Sequence, residues 1–167
     1  MKSPKNSLLL GLATWLCCAT LAQAEVAVGR PFPKLAEAGL VGHLPDQSGR
    51  VVLVDFWATW CAPCRSSFPV YGQLQQELGD RGLTIIGVSV DKEEEPYNRF
   101  LEKFSPGFTT VRDADQLFVA AVQPPAMPTC YLLDRHGVLR AVHSGFHGAA
   151  TARQLREEIK KLLEETP

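Results

Sequence analysis

"VVLVDFWATWCAPCR", Val51 to Arg65, is the stretch that decides the fold. Val51 to Trp57 is a continuous apolar run broken only by Asp55. A run without alternation suits a strand covered on both faces, as in a parallel sheet. Farther on, apolar residues fall at Phe68, Tyr71, Leu74 and Leu78, spaced by three or four, and Gly79 and Gly82 close the stretch. That spacing predicts a helix over Pro63 to Leu78, entered at about Cys61. Strand and helix therefore meet at two cysteines separated by Ala62 and Pro63.

The junction carries the chemistry. A sulfur at a helix N-terminus faces unpaired N–H groups and the positive end of the macrodipole, which stabilise its thiolate. Cys61 holds that place, and Cys64 is one turn inside, close enough to bridge. Cys61 can attack a partner's disulfide, and Cys64 can then resolve the mixed disulfide. Cys61 is expected to be the more exposed sulfur and the more acidic. Pro63 fits the first turn because its missing N–H has no intrahelical partner there. Ala62 and Pro63 also tune the couple, since about 30 mV corresponds to about 1.4 kcal/mol. A permanent disulfide and half of a zinc site are the alternatives. A zinc site wants four ligands, and no second cysteine pair exists, so neither metal nor cofactor is expected. An acid inside a doubly covered strand is costly unless it has a partner or a function. Asp55 is read as a buried carboxyl of raised pKa that takes the proton from Cys64, directly or through a water.

The rest of the chain builds a domain around this junction. Its 167 residues are 46% hydrophobic and 21% charged, an ordinary globular composition. A net charge of −1 with no basic block excludes a nucleic-acid footprint. At the start, Lys2 and Lys5 precede the apolar run Ser7–Leu21 and then "AQA", Ala22 to Ala24. That is the pattern of a secretory signal, with cleavage expected after Ala24; an uncleaved anchor is the alternative. Trp15 and Leu16 are too bulky for a lipidation site at Cys17. Without residues 1–24 the 17 basic and 18 acidic residues become 15 and 18, a formal charge of −3, and Cys61, Cys64 and Cys130 remain. An exported chain meets an oxidising compartment, where three cysteines make one pair and leave one over.

Residues 25–49, rich in Gly and Pro, read as an extended entry segment with one short edge strand. Leu83–Val90 is a second buried strand, Glu95–Phe104 a helix with Pro96 in its first turn, and Asp115–Val122 a short third helix. Thr129–Leu133, the turn Arg135–Gly137 and "VLRAVHSG" form a hairpin, and Ala149–Leu163 is an amphipathic helix. The predicted fold is α/β: one central mixed sheet with helices on both faces.

"VDFWATWCAPCR" resembles the active site of the thioredoxin superfamily, and with the export signal "WATWCAPC" is similar to the TlpA/ResA/DsbE-like branch of periplasmic thioredoxins. "AMPTCYLLD" and "HSGF" resemble that branch's later landmarks, so the resemblance spans residues 25–167. It implies a thioredoxin-like sandwich with Cys61 as nucleophile, Cys64 as resolving thiol and Asp55 as proton acceptor. It implies a cis bond at Met127–Pro128, and a partner surface made by Trp60, Ala62, Pro63, Met127, Pro128 and Thr129. Trp57 and Trp60 flank the site, one as packing and one as contact. Proline at 128 offers no N–H to compete for the sulfurs, leaving the Met127 backbone free to pair with an extended partner segment. Two departures stand out. Many members of the branch carry Asn where Asp55 stands, and the functional Glu of haem-maturation reductases has only the loose candidates Glu93, Glu94 and Glu95 here.

Cys130 is expected to be a buried, inert thiol. His143 and His147 are four apart, but Gly145 and Gly148 argue against a helix there, so they read as surface or loop histidines. The expectation is a monomeric, periplasmic thiol:disulfide oxidoreductase that reduces protein disulfides, in cytochrome c maturation or copper-site assembly. A membrane thiol donor of the DsbD/CcdA type would keep it reduced. A metal-chaperone or binding module is one alternative. A peroxiredoxin-like peroxidase is another, opposed by Val54 and Ala58 at the positions where such enzymes place Pro and Thr.

Overall fold

The computed structural model describes residues 26–165; the expected export signal lies outside the described residues. Five strands form one sheet in the order β3-β2-β1-β4-β5. They are β1 (Val51–Trp57), β2 (Leu83–Ser89), β3 (Thr109–Arg112), β4 (Thr129–Leu133) and β5 (Leu139–Ser144). The strands β1, β2 and β3 run parallel, whereas β4 is antiparallel to β1 and β5 antiparallel to β4. Four helices complete the fold: α1 (Ala62–Leu78), α2 (Glu94–Phe104), α3 (Leu117–Val122) and α4 (Ala149–Glu164).

Every residue of β1 and β2 is buried, as their unbroken apolar runs require of strands covered on both sides. Alternate residues serve different layers. Phe56 stacks on Phe118 of α3 at 5.5 Å, and Phe32 of the entry segment closes the same layer against Tyr131 at 5.1 Å. Trp57 points the other way, onto Phe68 of α1 and Phe100 of α2, both at 4.9 Å. Deeper along that face, Val51, Leu53, Ile85 and Leu132 meet Tyr71 and Leu74 of α1 and Leu155 and Ile159 of α4. Each such aliphatic side chain contributes about 1.5–3 kcal/mol by leaving water. Gly87 is needed on this face, because a Cβ there would sit 3.0 Å from Trp57 Nε1 and 3.1 Å from Phe108.

Two parts of the architecture differ from the sequence reading. The strand β3 was not anticipated: "TTVR" is four residues long, lies at the sheet edge and offers one apolar side chain, Val111. The entry segment makes no edge strand, but two isolated bridges, Pro31 to Val138 and Val41 to Arg112, and a 3-10 turn at Leu35–Glu37. The Val41 bridge caps the otherwise open edge of β3, which limits pairing with other chains.

Candidate active site

All three parallel strands end on one side of the sheet, and the site is built there. The chain leaves β1 at Trp57, turns through Ala58–Trp60 and enters α1 with Cys61 as its N-cap. Pro63 occupies the first turn, where it removes no helical hydrogen bond. Cys61 and Cys64 are joined by a disulfide with their Cα atoms 5.3 Å apart. The Cys61 sulfur also accepts the backbone N–H of Cys64 at 3.2 Å, so it takes the place of a capping oxygen. Cys61 is 4% exposed and Cys64 fully buried, so the small opening to solvent is on the Cys61 side. Ala62 and Pro63 are exposed, and Trp60 stands 69% exposed beside them. Trp57 is the packing partner, fully buried, and its indole N–H has no acceptor among the described residues.

The Met127–Pro128 bond is cis. Phe56 pairs with Thr129, which sets Pro128 level with Trp57 at the strand end that feeds Cys61. Pro128 is buried and Met127 half-buried. Thr129 is buried too, and its hydroxyl donates to the Ala126 carbonyl at 2.8 Å, so its side chain braces the turn from within.

Asp55 lies under this surface, fully buried. Burial raises its pKa well above the usual carboxylate range, and a hydrogen bond from Tyr71 opposes that only in part. The Tyr71 hydroxyl donates to Oδ1 at 3.3 Å, while Oδ2 has no partner among the described residues. On one side Asp55 is level with Gly87, which has no side chain, and on the other with Cys130. Cys130 is a buried free thiol, and burial and the Asp55 charge push its pKa up.

Sequence reasoning missed Asp91. It opens the acidic stretch "DKEEEP", whose Glu93, Glu94 and Glu95 are exposed, Glu94 and Glu95 in the first turn of α2. Asp91 itself is buried and ties the active-site turn to the end of β2. Its Oδ2 accepts the Thr59 N–H at 2.9 Å and the Ser89 hydroxyl at 2.7 Å, and its Oδ1 accepts the Thr59 hydroxyl at 2.8 Å. The available signal was "SVD" at the end of a buried strand, where an acid next to the sheet end can reach the neighbouring loop. His143 also needs correction. It lies on β5, as the strand reading of "VLRAVHSG" has it, but not as a surface histidine: its side chain is 9% exposed with Nε2 2.7 Å from Glu158 Oε2.

Comparison with known proteins agrees with this geometry. The Redoxin family matches residues 27–157. The chain is 32% identical to the thioredoxin-like protein YneN of Bacillus subtilis, over 83% of this chain and 85% of that protein. It is 30% identical to the thiol-disulfide oxidoreductase ResA of Geobacillus kaustophilus, over 85% of this chain and 79% of ResA. Among solved structures, a Chlorobium tepidum protein assigned as thiol:disulfide interchange protein DsbE superposes with a TM-score of 0.77 at 31% identity, covering 83% of this chain and 99% of that one. A helix capped by one sulfur of a CxxC disulfide, on a sheet of this order, thus accompanies overall similarity to redox proteins of the same build. The chain belongs to the Redoxin family and, within the thioredoxin superfamily, to the TlpA/ResA/DsbE-like thiol:disulfide oxidoreductases.

Proposed function

We propose that this oxidoreductase is exported to the periplasm and works there as a reductant of protein disulfides. The observation that carries the reading is the Cys61–Cys64 disulfide at the N-terminus of α1, with its opening to solvent on the Cys61 side. In the reduced protein, the Cys61 thiolate attacks one sulfur of a partner disulfide and releases the other as a thiolate. Cys64 loses its proton to Asp55, attacks Cys61 and frees the second partner sulfur. The product is a reduced partner and an oxidised Cys61–Cys64 pair. The burial of Asp55, which raises its pKa, and an Oδ2 that has no partner among the described residues support its part in this sequence. Trp60, Ala62, Pro63, Met127 and the Pro128 turn form the surface that receives the partner as an extended segment, with Thr129 behind them.

A membrane thiol donor of the DsbD/CcdA type restores the dithiol. The substrates are protein disulfides, such as a haem-binding cysteine pair of an apocytochrome c or the cysteine pair of a copper chaperone. Equilibration with glutathione tests the direction. A potential near or below about −250 mV is expected, and one near −120 mV would make the protein an oxidant instead. Iodoacetamide trapping of the reduced protein across pH tests the couple itself, and an inert Cys61 would reduce the pair to a structural staple.

A further inference from the structure

The carboxyl of Asp55 is held from one side only. Its neighbours can be named from every element packed on it. From β2 comes Gly87, which has no side chain, and from β4 the thiol of Cys130. From α1 comes Tyr71, whose hydroxyl donates to Oδ1 at 3.3 Å. Beyond Cys130 on the same face lie His143 of β5 and Glu158 of α4, paired with each other at 2.7 Å. Nothing basic touches Asp55 in this set, so a negative charge there has one hydrogen-bond donor of any strength.

Tyr71 also connects the acid to the redox end of its own helix. Ser67, one turn earlier and fully buried, donates to the Cys64 carbonyl at 2.8 Å. Ser67 and Tyr71 are the polar members of the inner face of α1 between Cys64 and Asp55. The ring of Tyr71 is packed against Phe108 at 6.0 Å and Phe146 at 6.4 Å, so the hydroxyl is held in place by the core.

We propose that Tyr71 is a positioning residue of the redox reaction: its hydroxyl fixes Asp55 through Oδ1, leaves Oδ2 as the atom that receives the Cys64 proton, and stabilises the carboxylate that is able to accept it. The proposal rests on the part given to Asp55 above. A bond of 3.3 Å is long for a charge-assisted O–H···O contact and suits a neutral acid. When Asp55 ionises, the bond shortens, and its added strength lowers the carboxyl pKa from where burial alone would hold it. The Cys64 S–H bond breaks as the O–H bond forms at Oδ2, and the Cys64 thiolate then displaces the partner's sulfur from Cys61. Tyr71 keeps its own proton throughout.

The test uses reduced protein mixed with one equivalent of 5,5′-dithiobis(2-nitrobenzoate). Attack by Cys61 releases a first thionitrobenzoate, and resolution by Cys64 releases a second, so stopped-flow absorbance separates the two steps. Tyr71→Phe keeps the packed ring. In this variant the second phase is expected to slow about tenfold at pH 7, the size set by one hydrogen bond to a charged group, and to recover as pH rises. The pH midpoint of the first phase reports Cys61 alone and is expected to stay in place. In Asp55→Asn the second phase is expected to slow and to lose its midpoint, and adding Tyr71→Phe to that variant should slow it no further. An unchanged second phase in Tyr71→Phe, a slowing equal at every pH, or full additivity with Asp55→Asn overturns the proposal while leaving Asp55 its part. An unchanged second phase in Asp55→Asn overturns the proton-acceptor reading itself, and the proposal with it.

Discussion

Two buried carboxylates do different work because their donors differ. Asp91 accepts three hydrogen bonds, from Thr59 twice and from Ser89. Asp55 accepts one, and burial dominates its titration. Asp91 is therefore a structural brace between the active-site turn and the end of β2. Asp91→Ala should destabilise the protein by about 1–3 kcal/mol, because it strands a buried hydroxyl and an N–H. Thr59→Val removes one bond and should cost about 0.5–1.5 kcal/mol. Urea denaturation of the oxidised proteins checks both. For Asp55 the sign is opposite. A carboxyl whose folded pKa lies above its unfolded value contributes stability that is fully present below the unfolded pKa, about 3.9, and lost as pH rises through the folded value. Asp55→Asn removes that loss, so its urea midpoint should exceed the parent's by a margin that grows as pH rises from the unfolded pKa toward the folded value. A margin that is flat in pH would show that Asp55 ionises as readily in the fold as in the unfolded chain.

At the level of elements, β1 was legible in the sequence as an unbroken apolar run and α1 by its spacing of three and four, with the cysteines at their junction. The rest of the site was not, for physical reasons. Tyr71 fits the apolar stripe of α1, and nothing in the stripe says that its hydroxyl meets an acid sixteen residues earlier; only the packing of α1 on β1 brings them together. Asp91 shares a stretch with three exposed acids, and its burial depends on where β2 ends relative to β1. His143 alternates in and out along β5, and the partner that covers it comes from α4. Gly87 shows the same dependence. In most strands replacing Gly by Ala is favourable, since Gly loses more freedom on folding. Here the added methyl would press on Trp57 and Phe108, so Gly87→Ala is expected to cost about 1–3 kcal/mol by overpacking, measured from the urea midpoint. For the α1 entrance, Cys64→Ser removes the sulfur to which the proposed mechanism gives resolution and should leave Cys61 joined to its natural partners in cells, visible as bands that a reductant collapses. Recovering no such species would count against turnover.

Across the whole molecule, the sheet separates reactive from inert sulfur. Cys61 lies where the parallel strands end, at the edge of the solvent, whereas Cys130 is sealed between β1, β5 and the helices α1 and α4. In the folded, oxidised protein the Cys130 peptide should take up no iodoacetamide at pH 8, and should be labelled fully once urea opens the core. Mass spectrometry of the Cys130 peptide reads this directly, and early labelling would mean that the third thiol joins the exchange. The Cys61 sulfur has a second consequence through its bond to the Cys64 amide. A sulfur in a disulfide is a poor acceptor and a thiolate is a strong one, so gaining two electrons tightens the first turn of the helix. The backbone itself then registers whether the protein is charged with reducing equivalents: the Cys64 amide should exchange its hydrogen with deuterium more slowly in the dithiol form, and a partner able to sense the stiffness of that turn could tell a loaded carrier from a spent one.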